Sequence, residues 1–120
     1  MMEKSRTWDA VVVGGGASGL VCAVQAAMLG CRVLVLERMD RAGKKLLATG
    51  NGRCNLMNTG ELRYPRGERF ARQVLSQCGI QDQLDFWESI GLRLREEEDG
   101  RVYPASGAAS TVLEVLRLAA

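Results

Sequence analysis

The chain has 120 residues, of which 47% are hydrophobic and 25% charged, and a net charge of +2. That is the composition of one ordinary soluble domain, and it excludes a disordered or fibrous protein. The four cysteines (Cys22, Cys31, Cys54, Cys78) lack C-x-x-C or metal-ligand spacing, and there is no histidine to complete a zinc site or act as a general base, so no metal is expected and a reducing cytoplasm is the simplest home.

Ala10 to Val13 read as a short buried strand: three β-branched valines stop at Gly14. "ASGLVCAVQAAMLG" follows as an alanine-rich helix with Gly30 as its C′ residue. "RVLVLE" is a second strand, apolar as a parallel strand covered on both faces should be. Lys4, Arg6 and the apolar run after them imitate a signal peptide, but Asp9 and the triple glycine interrupt it and a β-α-β unit explains the same residues. No apolar run is long enough to cross a membrane, and no membrane partner is expected.

Residues 43 to 58, "GKKLLATGNGRCNLMN", suit neither helix nor strand and read as a long shaped loop, the kind that is either functional or disordered. Beyond it, Phe70, Val74, Leu75 and Cys78 share one helical face, and Ile80, Leu84, Trp87 and Ile90 share another, with Gly79 and Gly91 as punctuation. "LRLREEEDGRVY" predicts a small hairpin with a type I′ turn at Asp99-Gly100. A last helix runs through "STVLEVLRLAA", where Thr111 and Glu114 have capping-box spacing.

Charge is unevenly spread. Residues 38 to 72 hold nine basic side chains against three acidic ones, and 81 to 99 reverse the balance. Both are solvated faces for the most part. Only Tyr64 and Phe70 interleave with the basic residues, so a nucleic-acid partner is not expected, whereas a phosphate-bearing cofactor suits the basic segment.

The chemistry begins at G-x-G-x-x-G: Gly14, Gly16 and Gly19. The first glycine permits a tight strand-to-helix turn, the second lets a pyrophosphate approach the backbone, and the third lets helix and strand pack closely. The amides of Ala17 and Ser18 and the helix dipole face the phosphates. Glu37 closes the second strand at the distance from Gly19 that suits a carboxylate accepting both hydroxyls of an adenosine ribose. It repels a 2′-phosphate, which disfavours NADP at this site, although the neighbouring Arg38 is able to receive one. FAD and NAD share the same ADP half, and the fingerprint does not separate them. The long loop favours FAD, whose domain must also enclose a flavin ring.

The fingerprint, the G-K-K-L-L-x-T-G-x-G-R-C-N core from Gly43 to Asn55, and the later "GRVYPASGAASTVLEVLR" closely resemble the BaiN-like bacterial NAD(P)/FAD-dependent oxidoreductases, or aminoacetone-oxidase-family FAD-binding enzymes. The resemblance runs from Asp9 onward and departs at Met57, where a small polar residue is expected. It implies an α/β fold: a Rossmann-like FAD-binding domain of glutathione-reductase type, whose loop after the glutamate passes along the pyrophosphate towards the flavin. It also implies that Lys45, Gly50, Asn51, Gly52, Arg53, Cys54 and Asn55 belong to the flavin surroundings. NAD(P)H is then a candidate electron donor, and a small molecule the substrate.

Each of these residues also has a plainer role. One of Lys44 and Lys45 is expected to be solvated. Arg53 has two available partners, a carboxylate such as Glu61 or the pyrophosphate or substrate. A redox role for Cys54 needs a resolving thiol that the spacing does not supply. Cys22 and Cys31 are simplest as small core residues, and Tyr103 as packing.

The resulting expectation is an FAD-dependent oxidoreductase that moves a hydride between a nicotinamide or substrate carbon and the flavin, with no catalytic acid or base identified. Alternatives are an RNA-directed or non-catalytic flavoprotein and an NAD-binding dehydrogenase domain. Two parallel strands as apolar as these call for further strands beside them. Residues 1 to 120 are therefore expected to be the N-terminal, incomplete part of an FAD-binding domain, without its remainder or an inserted substrate domain, and to be poorly stable and inactive alone. The oligomeric state is not legible.

Overall fold

A computed structural model describes residues 7–61 and 63–120. Strand β1 (Ala10–Val13), helix α1 (Ala17–Met28) and strand β2 (Val33–Leu36) form the expected β-α-β unit. The strands run parallel, from Ala10 opposite Val33 to Val13 opposite Leu36. An exposed clip marks their start: the Asp9 carboxylate accepts the Arg32 amide at 2.8 Å and its guanidinium at 3.1 and 3.2 Å. At the C-terminus of α1 the amides of Gly30 and Cys31 reach back to the carbonyls of Ala27 and Ala26, the 5→2 and 6→1 pair of a Schellman ending.

The segment after β2 is more regular than its glycines and asparagines suggest. Leu46–Gly52 form short 3₁₀ turns broken at Thr49, Gly50 and Asn51, and Met57–Asn58 form strand β3. Helices α2 (Glu68–Gln77) and α3 (Ile80–Ser89) come next, then β4 (Leu94–Glu96), β5 (Arg101–Pro104) and α4 (Ala109–Ala119). The hairpin is therefore part of a three-stranded antiparallel sheet in the order β3-β5-β4. A two-residue strand carries no periodicity, which is why β3 escapes a sequence reading.

Three local expectations are corrected. The hairpin turn is not type I′, because Asp99 keeps a negative φ and only Gly100 has a positive one (+85°), while the Gly100 amide bonds to the Glu97 carbonyl at 3.0 Å. This is a type I turn followed by a left-handed glycine, which closes a three-residue loop. Helix α4 starts three residues earlier than Thr111 would have it as a cap: Ala108 is the cap, Thr111 lies inside the first turn, and its hydroxyl bonds to that of Ser106 at 2.7 Å. Cys22 is exposed and Cys31 half-buried, so neither belongs to the core.

The core lies between α1, α4, the 3₁₀ segment and the small sheet. Leu20 and Val24 meet Val112, Leu113 and Leu116, joined by Leu46, Cys54, Trp87 and Val102. Helix α2 buries no residue, and Phe70 on its apolar face is 71% exposed. One face of the parallel sheet is also bare: Val11, Val13 and Leu36 are 52%, 84% and 48% exposed. Among the described residues no helix is long and apolar enough to cross a membrane.

Candidate nucleotide site

The site is built where β1 hands over to α1. Gly14 takes φ +101°, and its amide bonds to the Leu36 carbonyl at 2.7 Å, so the turn starts while still tied to β2. A Cβ on Gly19 would overlap the Gly14 carbonyl oxygen, which is the close helix–strand approach the third glycine serves. Gly16 is different. Its Cβ would meet nothing within 4 Å, so open space stands in front of the backbone where the second glycine admits a phosphate. No side chain caps α1, whose first turn contains no acid, and Ala17 and Ser18 are exposed. An uncapped helix start with room before it has the geometry that suits an anion.

Glu37 follows β2 and faces this turn. Its Oε2 accepts the Gly15 amide at 2.6 Å and its Oε1 the Met39 amide at 3.1 Å. These bonds, Met39's first and Gly15's next, lower its carboxyl pKa against a smaller opposing effect of burial. Each oxygen keeps a lone pair for a hydroxyl donor. Gly15 was missed from sequence as a fixed position, though the triple glycine is its signal: a Cβ there would stand 2.9 Å from the Ala42 Cβ and 3.1 Å from the carboxylate. Arg38, beside Glu37, is exposed.

The loop is tied to the fingerprint at its stem, where the Gly43 amide donates to the Gly15 carbonyl at 2.6 Å. Its leucines do not anchor it on the parallel sheet. Leu46 is buried, the 3₁₀ segment packs on α4, and a Cβ on Gly43 would overlap Leu113. Lys44 pairs with Asp40 at 3.8 Å, with both side chains exposed, and Lys45 is exposed.

From Gly50 to Cys54 the chain is mostly left-handed: φ is +55° at both Gly50 and Asn51, +81° at Gly52 and +58° at Cys54. Two of these are not glycine, and such conformations persist only where the surroundings enforce them. Cys54 is buried, and desolvation raises its thiol pKa against a weaker bond from Thr49. It has no disulfide partner. Arg53 does not pair with Glu61. It pairs with Glu97 at 3.0 Å and lies over the Tyr103 ring, 4.0 Å from the centroid. The structure thus brings together Gly14, Gly16, Ala17, Ser18, Gly19 and Glu37, while the side chain of Arg53 turns to the hairpin.

An open cleft of about 660 Å³ lies elsewhere, between β3 and α3, lined by Met57, Tyr64 and Ile80 among others. It includes no residue of the glycine turn, so it does not bear on the nucleotide assignment.

Residues 8–120 match the family model described as "HI0933-like protein Rossmann domain". The chain belongs to the HI0933-like family. Among relatives of this HI0933-like chain, a 3-dehydro-bile acid delta(4,6)-reductase of Clostridium scindens is 45% identical, over 89% of this chain and 27% of its own length. A ribosomal RNA dihydrouridine synthase of Escherichia coli is 27% identical, over 91% of this chain and 28% of the synthase. Flavin-containing amine oxidases of Oncorhynchus mykiss and Equus caballus are 26% and 30% identical, over 89% and 84% of this chain and 20% and 19% of their own lengths. In fold, the crystal structure of Thermovibrio ammonificans THI4 superposes with a TM-score of 0.52 at 25% identity, covering 93% of this chain and 36% of that one. The HI0933-like chain spans about a quarter of the length of the first two relatives.

Proposed function

We propose that this HI0933-like domain binds FAD and forms the N-terminal part of the flavin domain of a BaiN-like bacterial oxidoreductase acting on a small molecule. The observation that carries the reading is the junction of an open, uncapped helix start at Gly16 to Ser18 with Glu37 at the end of the neighbouring parallel strand. The chain's residues fit the ADP half of the cofactor. Gly16, Ala17 and Ser18 would receive the pyrophosphate, and Glu37 the ribose hydroxyls. When bound, the flavin supplies two-electron chemistry, exchanging a hydride with NAD(P)H or a substrate carbon. The protein's own share is orientation and electrostatics: the helix start meets negative charge, and Glu37 presents a carboxylate, ionised at neutral pH as any ordinary glutamate is, whose pKa the Met39 and Gly15 amides lower further.

A small-molecule substrate rather than a nucleic acid is supported by the higher identity to the bile-acid reductase than to the RNA-modifying relative. The rest of the flavin domain and the substrate domain are proposed to lie in further chain, as the length of the relatives and the bare face at Val11, Val13 and Leu36 suggest. A reducing cytoplasm suits four unpaired cysteines.

The test is titration of the chain with ADP and with FAD, followed by amide NMR. Shifts centred on Gly14 to Gly19 and Glu37, common to both ligands, are expected, and FAD adds shifts between Gly50 and Asn55. Shifts confined to the cleft beside α3, or none at millimolar ligand, would overturn the reading.

A further inference from the structure

We propose that Arg53 is a positioning residue rather than a cofactor ligand: anchored by Glu97 and Tyr103, it holds the left-handed stretch from Gly50 to Cys54 in shape. The functional importance of that stretch rests on the flavin reading above, but the latch itself does not.

The stretch needs holding. Asn51 and Cys54 sit at φ +55° and +58°, a region that is unfavourable for a residue carrying a Cβ. Its backbone closes on itself, with the Arg53 amide on the Gly50 carbonyl at 3.1 Å and the Cys54 amide on the Thr49 carbonyl at 3.0 Å. Those bonds fix the turns but not where they stand relative to the rest of the domain. Arg53 makes that connection. Its guanidinium reaches 44 residues along the chain to Glu97 and stands over the ring of Tyr103, a residue only 4% exposed.

The receiving surface is built for a cation. Glu97 stands just after β4, and the Oε1 that meets Arg53 also lies 3.5 Å from the Arg95 guanidinium. Tyr103 is fixed in the centre of the sheet, opposite Arg95. An arginine serves both partners at once, because its planar fork meets the carboxylate while its face stacks on the ring, which a lysine cannot do.

Hydrogen exchange on the ligand-free chain tests the latch without reference to flavin. With Arg53→Ala, the Arg53 and Cys54 amides are expected to exchange about tenfold faster, and with Glu97→Gln about threefold faster, since half-exposed ion pairs and cation–π contacts are each modest. Arg53→Lys should resemble the alanine variant more than the wild type. Tyr103→Phe, which keeps the ring, should leave both amides unchanged, whereas Tyr103→Leu should free them. If Tyr103→Leu fails to fold, the Arg53 and Glu97 variants decide alone. Unchanged loop amides in Arg53→Ala, or acceleration matched by equal loss of protection in β1 and α1, would overturn the proposal. FAD titration of Arg53→Ala separates the two readings: a latch lost without any flavin binding in the wild type leaves the proposal standing and removes the flavin reading instead.

Discussion

Glu37 and Gly15 are joined across the top of the parallel sheet by a 2.6 Å hydrogen bond from the glycine amide to the carboxylate. The acid that follows β2 therefore shapes the glycine turn, in addition to the ribose role proposed for it. Glu37→Gln is expected to lower ADP affinity by about tenfold or more, because it replaces a charged acceptor, and to loosen the Gly15 amide in the free protein. Isothermal titration and exchange at Gly15 check the two effects separately. ADP affinity unchanged in this variant removes the ribose assignment.

Two glycines three residues apart should fail in opposite ways. Gly19→Ala pushes a methyl into the Gly14 carbonyl, so at least about 2 kcal/mol of stability should be lost. Gly16→Ala has open space and a φ of −78°, so its melting curve should shift by no more than about 0.5 kcal/mol while nucleotide binding weakens. Equal loss of stability in both variants would contradict the open approach at Gly16.

Acid should act through Glu37 and Asp9, whose carboxyl pKa values are both lowered in the fold: Glu37 by backbone amides first, Asp9 by the Arg32 side chain first. In the window between the folded and the ordinary carboxyl values the unfolded chain binds more protons, so stability rises with pH there. The contribution is in place above the ordinary range near pH 4 and fades as pH falls through the lowered values. Urea melts from pH 7 down to pH 2 should show this loss, and Glu37→Gln should show a smaller one.

Alkylation should rank the thiols. Cys22 and Cys78 are exposed, whereas Cys54 is buried with its pKa raised, and so stays in the unreactive thiol form at neutral pH. Timed labelling with iodoacetamide and mass spectrometry should find Cys54 modified last. Early labelling of Cys54 would mean that the loop opens readily.

Val13→Lys, at a site 84% exposed on the bare sheet face, should leave the melting temperature nearly unchanged and reduce self-association in sedimentation runs. A large drop in melting temperature would show that Val13 is covered in solution.

How much of this was legible depended on how local the cause was. β1, α1 and β2 follow from valine runs, an alanine-rich helix and glycine punctuation, all set within a few residues. Glu37 was found by counting, because a strand has a fixed end. The positive φ at Cys54 has no such local cause. It is held by partners such as Glu97 and by burial in a core that includes Val102 and Leu116, so nothing between residues 43 and 58 announces it. For the same reason Arg53 looked equally suited to Glu61 and to an anion. Thr111 misled because a capping-box spacing also occurs by chance inside a helix. Phe70 shows that a helical period gives an apolar face but not what covers it.

The pairing of β3 with β5 sets an order of events. Met57 finds its partner at Val102, and the loop stem at Gly43 packs on Leu113, so the segment from 43 to 58 cannot settle until a stretch of chain made much later is present. The β-α-β unit closes over shorter separations, whereas the loop waits for contacts 45 residues away (102 − 57) and 70 residues away (113 − 43), and such contacts form slowly. During synthesis the glycine turn would thus stand finished while its neighbouring loop is still fluid. Pulse-labelled exchange during refolding should record that interval as early protection at Gly14, whose amide bonds to Leu36, and late protection at Leu56, whose amide bonds to Val102.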